Sequence, residues 1–91
     1  MKLRWLRSGS VSLRRHAEFI AGEKPAAARQ VRHRVKRAVL RLLDFPNSGR
    51  AGQVPGTREL VVVNLPYVIV YRVTEAEIQV LRVLHTRQDF R

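Results

Sequence analysis

The chain has no cysteine, which rules out disulfide frameworks and thiolate metal sites and fits a reducing compartment. Long apolar runs are missing too. The longest, Tyr67 to Tyr71, is far short of the roughly 20 residues that span a bilayer. Lys2 and Arg4 open the chain, but no apolar segment of a secretion signal follows them, so a cytoplasmic protein with no membrane partner is expected. Gly49, Gly52 and Gly56 are not followed by the Lys-Ser/Thr of a phosphate-binding loop. His16, His33 and His85 are scattered without zinc-ligand spacing, and no paired carboxylates suggest hydrolysis of sugars. No cofactor or metal is therefore expected. At 91 residues the chain has room for one domain, residues 1–91, with one helix layer on one sheet.

Acidic side chains are scarce, 7 against 18 lysines and arginines, for a formal net charge of +11. Residues 1–50 hold 13 basic and 3 acidic side chains, and residues 51–91 hold 5 and 4. The excess is thus confined to the first half. Such a field raises encounter rates with anionic partners such as nucleic acid or an acidic protein. It also arises from solvated helix faces, so charge specifies only the sign of a partner.

Apolar spacing changes period once along the chain. Lys2 to Trp5 predicts a short strand with Trp5 as a core anchor, and Ser8-Gly9-Ser10 predicts a break before a helix capped by Ser8 or Ser10. Leu13, His16, Ala17 and Ile20 then recur at i, i+3, i+4 and i+7, predicting a helix over about residues 10–22. Pro25 suits the first turn of a second helix, predicted over 25–44. Its apolar stripe is Ala28, Val31, Val35, Ala38 and Leu42, and its other face carries Arg29, Arg32, Lys36, Arg37 and Arg41. Phe45-Pro46 stops it, and Asn47 to Gly56 is a loop. Beyond Gly56, Arg58–Val63, Tyr67–Val73 and Ile78–Leu84 are rich in β-branched and aromatic residues and predict three strands. Their short connections make them antiparallel neighbours. The predicted fold is α+β, in the order β-α-α-β-β-β: an antiparallel sheet with a two-helix hairpin packed on one face.

Trp5, the Leu13/Ile20 stripe, Pro25-Ala26-Ala27, Phe45-Pro46 with Gly49-Arg50, Gly56-Thr57-Arg58-Glu59-Leu60, Pro66-Tyr67 through Tyr71-Arg72-Val73, and Val80 through His85 form a pattern over nearly the whole chain that resembles the RelE/ParE toxin family. The second half is the more specific. The resemblance implies the toxin of a two-gene toxin–antitoxin pair, silenced by a partly disordered antitoxin in a toxin–antitoxin hetero-oligomer. RelE-like members cleave messenger RNA on the ribosome, whereas ParE-like members poison DNA gyrase. Fold does not separate the two.

Metal-free RNA cleavage requires a base, an acid and cations around one phosphate. Many RelE-like nucleases carry an arginine directly after the tyrosine that here resembles Tyr67, but the next residue is Val68. The tail Arg87-Gln88-Asp89-Phe90-Arg91 also lacks the tyrosine that often completes such sites. Both departures favour a ParE-like toxin that inhibits gyrase. A ribosome-dependent mRNA endoribonuclease is the alternative, with Arg58, Arg82, His85 and Arg87 as its catalytic set. For target or nucleic-acid binding the candidates are Arg50, Arg58, Arg82 and Arg87. A basic nucleic-acid-binding module would share the charge, but the chain has no helix-turn-helix spacing or aromatic platform.

His85 reads either as a general acid or as a strand-end histidine hydrogen-bonded to a turn. His16, on an apolar stripe, is expected to be half-buried and satisfied by a backbone carbonyl. Tyr71 is assigned to the core. Arg72 and Arg82 interrupt apolar strands, so each must reach an open face or meet a carboxylate such as Glu59 or Asp89.

Overall fold

In a computed structural model, which describes residues 1–89, the chain forms β1 (Lys2–Trp5), α1 (Arg7–Ala21), α2 (Pro25–Arg41), β2 (Arg50–Ala51), β3 (Arg58–Val61), β4 (Tyr67–Val73) and β5 (Glu77–His85). The strands make one open sheet in the order β1-β5-β4-β3-β2. The α+β class and the helical hairpin are as expected. The sheet, however, is mixed, because β1 pairs with β5 in parallel from Lys2↔Glu77 to Trp5↔Val80. Short connections determine strand direction only between consecutive strands. No turn joins β1 to β5, so nothing local specified their sense.

The first helix starts at Arg7, earlier than about residue 10, and takes Ser8-Gly9-Ser10 into its first turns. Leu6 is its N-cap, without a side-chain cap bond. Ser8 instead donates to Leu81 O at 2.6 Å, and Ser12 Oγ accepts the Val83 N–H at 2.8 Å, so serines tie α1 to β5. Gly9 is buried at this crossing, and a Cβ there would lie 2.6 Å from Val80 O. The glycine therefore marks close approach of two backbones, not a break. Helix α2 ends at Arg41 rather than 44, and Leu42, Leu43 and Asp44 donate to carbonyls three residues back, the tighter winding common in a last turn.

The loop 47–56 contributes the two-residue strand β2 against Arg58 and Glu59, too short to leave a sequence signature. Strand β3 stops at Val61, two residues early, as the chain turns through Asn64 at φ +63°. Strand β5 runs one residue further at each end than expected. The β4–β5 ladder slips by one residue between Val70↔Arg82 and Tyr71↔Val80, leaving Leu81 as a bulge.

The core lies between the hairpin and one sheet face. Leu13, Val31, Val35 and Val39 from the helices meet Tyr67, Ile69, Val80 and Val83 from the strands, and Leu42 closes the far end over Tyr71 and Ile78. Val68, which points to the opposite face by parity, is only 1% exposed. Both faces of β4 are thus covered at that point. Among the described residues no helix is long and apolar enough to cross a membrane.

Candidate functional site

His85 and Arg87 fall toward one end of the sheet and Arg50 and Arg58 toward the other, with Arg82 opposite Val70 between them. At the β5 end, the ladder sets Tyr67 opposite His85, and α1 brings His16 over both. Ring centroids lie 5.2 Å apart for His16–Tyr67, 5.4 Å for Tyr67–His85 and 6.3 Å for His16–His85. His16 Nε2 lies 3.0 Å from Val83 O, the backbone carbonyl partner anticipated for it, and 3.5 Å from Asp89 Oδ2. Burial pushes the Tyr67 phenol above its ordinary pKa. His85 Nδ1 accepts the Arg87 N–H at 3.1 Å and the Gln88 N–H at 3.3 Å, and Asp89 Oδ2 accepts the His85 N–H at 2.6 Å. A ring nitrogen that accepts two backbone bonds carries no proton, so neutral His85 holds its proton on Nε2. His85 thus stands at the strand end with its ring hydrogen-bonded to the following turn. A cleft of about 290 Å³ beside it is lined by Ser12, Arg15, His16, Arg82 and Asp89. Arg82 and Arg87 are exposed. Phe90 and Arg91 of the tail lie outside the described residues.

The other end is built around Tyr71 and Glu59. Tyr71 is 0% exposed, and its hydroxyl donates to Pro46 O and accepts the Gly49 N–H, both at 2.8 Å. Glu59 is 7% exposed and accepts from Arg50 Nε at 3.1 Å and the Gln53 N–H at 3.3 Å. Arg58 donates to Gly49 O at 2.8 Å and Asn47 O at 3.3 Å. Both arginines of this end are thus engaged in holding the loop 46–53. Arg72 finds neither Glu59 nor Asp89 and bonds the Gln79 amide oxygen across the ladder.

Register shows how far apart the two groups stand. Arg58 lies opposite Tyr71, and His85 opposite Tyr67. Four residues of β4 separate these partners, about 13 Å at strand rise. The structure therefore does not bring Arg58 together with His85, while Arg82, opposite Val70, lies between them on the rung of Glu59, two strands across.

A third feature escaped the sequence reasoning. Between α2 and β3 runs a groove of about 470 Å³, lined by Arg34, Arg37, Arg41, Phe45, Val61 and Val63 among others. Phe45, Val61 and Val63 are 60%, 51% and 70% exposed, and the Arg34 guanidinium donates to Val63 O at the groove's edge. Two signals were available: four successive apolar residues, Leu60 to Val63, which cannot all face one core, and Arg34, Arg37 and Arg41 at i, i+3 and i+7.

With this geometry in hand, the chain can be set beside known proteins. The family described as the ParE toxin of type II toxin-antitoxin system, parDE, matches residues 3–90. The chain belongs to the ParE toxin family. A curated relative, Y4kP of Sinorhizobium fredii, named as a toxin, is 35% identical over 89 residues, covering 98% of this chain and 92% of that protein. A solved structure described as the chromosomal ParDE TA system from P. aeruginosa superposes with a TM-score of 0.86 at 27% identity, over 96% of this chain and 97% of that one. The superposition runs over nearly the whole of both chains and so takes in the helical hairpin and the sheet.

Proposed function

We propose that this ParE-family protein inhibits DNA gyrase in the cytoplasm and is neutralised by a cognate antitoxin in a toxin–antitoxin hetero-oligomer. The observation that carries the choice of a non-nucleolytic target is the commitment of Arg50 and Arg58 to loop contacts, away from His85. Metal-free RNA cleavage gathers base, acid and cations around one phosphate. Here Arg50 and Arg58 are committed to Glu59 and to loop carbonyls, and Arg58 stands about four residues of β4 from His85, with Arg82 opposite Val70 between them. Val68, where a nuclease often has arginine, is buried. A toxin that acts by binding needs no such convergence.

The α2–β3 groove supports the antitoxin. Its apolar floor with Phe45, Val61 and Val63 and its rim of Arg34, Arg37 and Arg41 suit an acidic amphipathic segment that folds on contact. Attraction to the +11 chain should make association slower at high salt. Val61→Glu, on an exposed residue, should weaken antitoxin capture and leave the fold intact.

A second reading, ribosome-dependent mRNA cleavage, is favoured by one observation. His16, Tyr67, His85 and Asp89 cluster beside Arg82. The deciding experiment pairs a gyrase supercoiling assay with a ribosome cleavage assay on the purified protein. Inhibited supercoiling, uncut mRNA and unchanged inhibition by His85→Ala are expected. Ribosome-dependent cut products that vanish in His85→Ala would overturn gyrase inhibition as the activity.

A further inference from the structure

Helix α2 holds six lysines and arginines, Arg29, Arg32, Arg34, Lys36, Arg37 and Arg41, and no acidic residue. None of the four ion pairs among the described residues involves it. Neighbouring α1 looks different, since its Arg14 pairs with Glu18 one turn on. Like charges three and four apart on a helix repel, and α2 repeats that arrangement at Arg29/Arg32, Arg32/Lys36, Arg34/Arg37 and Arg37/Arg41. An ordinary solvated face would intersperse glutamates to relieve it.

Helical geometry sorts these charges into two rows. Arg34, Arg37 and Arg41 line the α2–β3 groove. Arg29, Arg32 and Lys36 repeat the same i, i+3, i+7 spacing five residues earlier, which turns their row about 140° around the axis. This outer row spans about 10 Å, and all three residues are exposed. We propose that the outer row, Arg29, Arg32 and Lys36, is a contact surface for the phosphate backbone of double-stranded DNA, separate from the groove.

Several features select that partner. A duplex presents one negative charge per about 1.7 Å of axis, dense enough for every cation of the row to find a phosphate. Guanidinium groups pair with phosphate through two parallel bonds, and two of the three residues are arginine. A protein partner of similar footprint would want an apolar centre depleted of charge, whereas DNA interfaces are polar and strongly positive. Anionic membrane would need an apolar face to insert, and the apolar stripe of α2 is buried, with Val31, Val35 and Val39 7%, 0% and 0% exposed; a single leucine, Leu40, stands open beside the row at 56%, too little for an inserting face. The row has no aromatic side chain on which an unpaired base could stack, which selects duplex over single strand. B-form DNA also leaves its major groove open to a helix, which duplex RNA does not.

The test is fluorescence anisotropy with labelled duplex DNA of about 20 base pairs and arbitrary sequence, over a salt series. The full chain is used without gyrase or antitoxin, so failure here and failure of gyrase inhibition are distinguishable. Three neutralised contacts predict that the triple variant Arg29→Gln, Arg32→Gln, Lys36→Gln binds at least about tenfold more weakly at moderate salt. Its log K against log[salt] slope should be shallower by about 2.7. The groove-row variant Arg34→Gln, Arg37→Gln, Arg41→Gln should change the slope by less than about one such contact. Circular dichroism confirms that both variants keep the parent's helix content. An unchanged slope in the outer-row variant overturns the proposal. So do equal losses from the two rows, which would mean diffuse attraction to net charge. Tighter binding of the same row to single-stranded DNA, polyglutamate or phosphatidylserine vesicles would likewise overturn it.

Discussion

Replacing Tyr71 by phenylalanine removes one oxygen from a fully buried side chain, and that oxygen serves two loop groups. It accepts the Gly49 N–H and donates to Pro46 O, both at 2.8 Å. In Tyr71→Phe the ring still fills the space over Leu42 and Ile78, so no cavity larger than a hydroxyl opens. The cost is polar. A buried N–H without a partner costs about 1–3 kcal/mol, and the lost bond to the carbonyl adds about 0.5–1.5. Partial relaxation of the loop toward water brings the expected total to about 2–3 kcal/mol. A domain of this size is stable by only about 5–14 kcal/mol, and each kcal/mol is worth about 4–8 °C in Tm. Thermal unfolding followed by circular dichroism should therefore show a fall of roughly 10–20 °C. The damage should also be local first, because Gly49 O is a partner of Arg58 and the loop 46–53 is hung from these bonds. Limited proteolysis should cut Tyr71→Phe there well below its Tm. A loss under about 0.5 kcal/mol, within the range of neutral surface changes, would refute the assignment of the hydroxyl as the loop's anchor.

Gly9→Ala should lower the urea midpoint by about 1–3 kcal/mol equivalent, since its Cβ would meet Val80 O at 2.6 Å; an unchanged midpoint would mean that α1 can move off β5 freely. Arg50→Ala should destabilise more than Glu59→Gln in equilibrium unfolding. Arg50 is largely exposed and regains water when its partner is neutralised, while Glu59 is buried and would keep an underpaired charge; the opposite order would contradict this. Burial raises the Tyr67 pKa, so the unfolded chain releases the phenolic proton first. The stability this contributes is complete below pH about 10, the unfolded value, and is lost as pH rises through the folded one. Tm measured from neutral to strongly alkaline pH should fall less steeply in Tyr67→Phe than in the parent.

The helices and strands were legible in the sequence because their signals are local. Leu13, Ala17, Val31, Val35 and Val39 mark faces at three and four, and Tyr67–Val73 is β-branched and aromatic throughout. The family resemblance was legible for a related reason. Gly56 to Leu60 and Pro66 to Val73 are contiguous, so their residues keep their spacing whatever the rest of the chain does. Gly9 was misread because a glycine that marks a break before a helix and one that lets two backbones touch look alike until the second backbone, at Val80, is in place. The parallel sense of β1, the groove between α2 and β3, and the distance between Arg58 and His85 each depend on which residues lie opposite one another across the sheet. That register is set by packing among residues as far apart as Trp5 and Val80 or Ser12 and Val83. Local periodicity carries no record of such long-range pairing, and only the closed tertiary structure decided it.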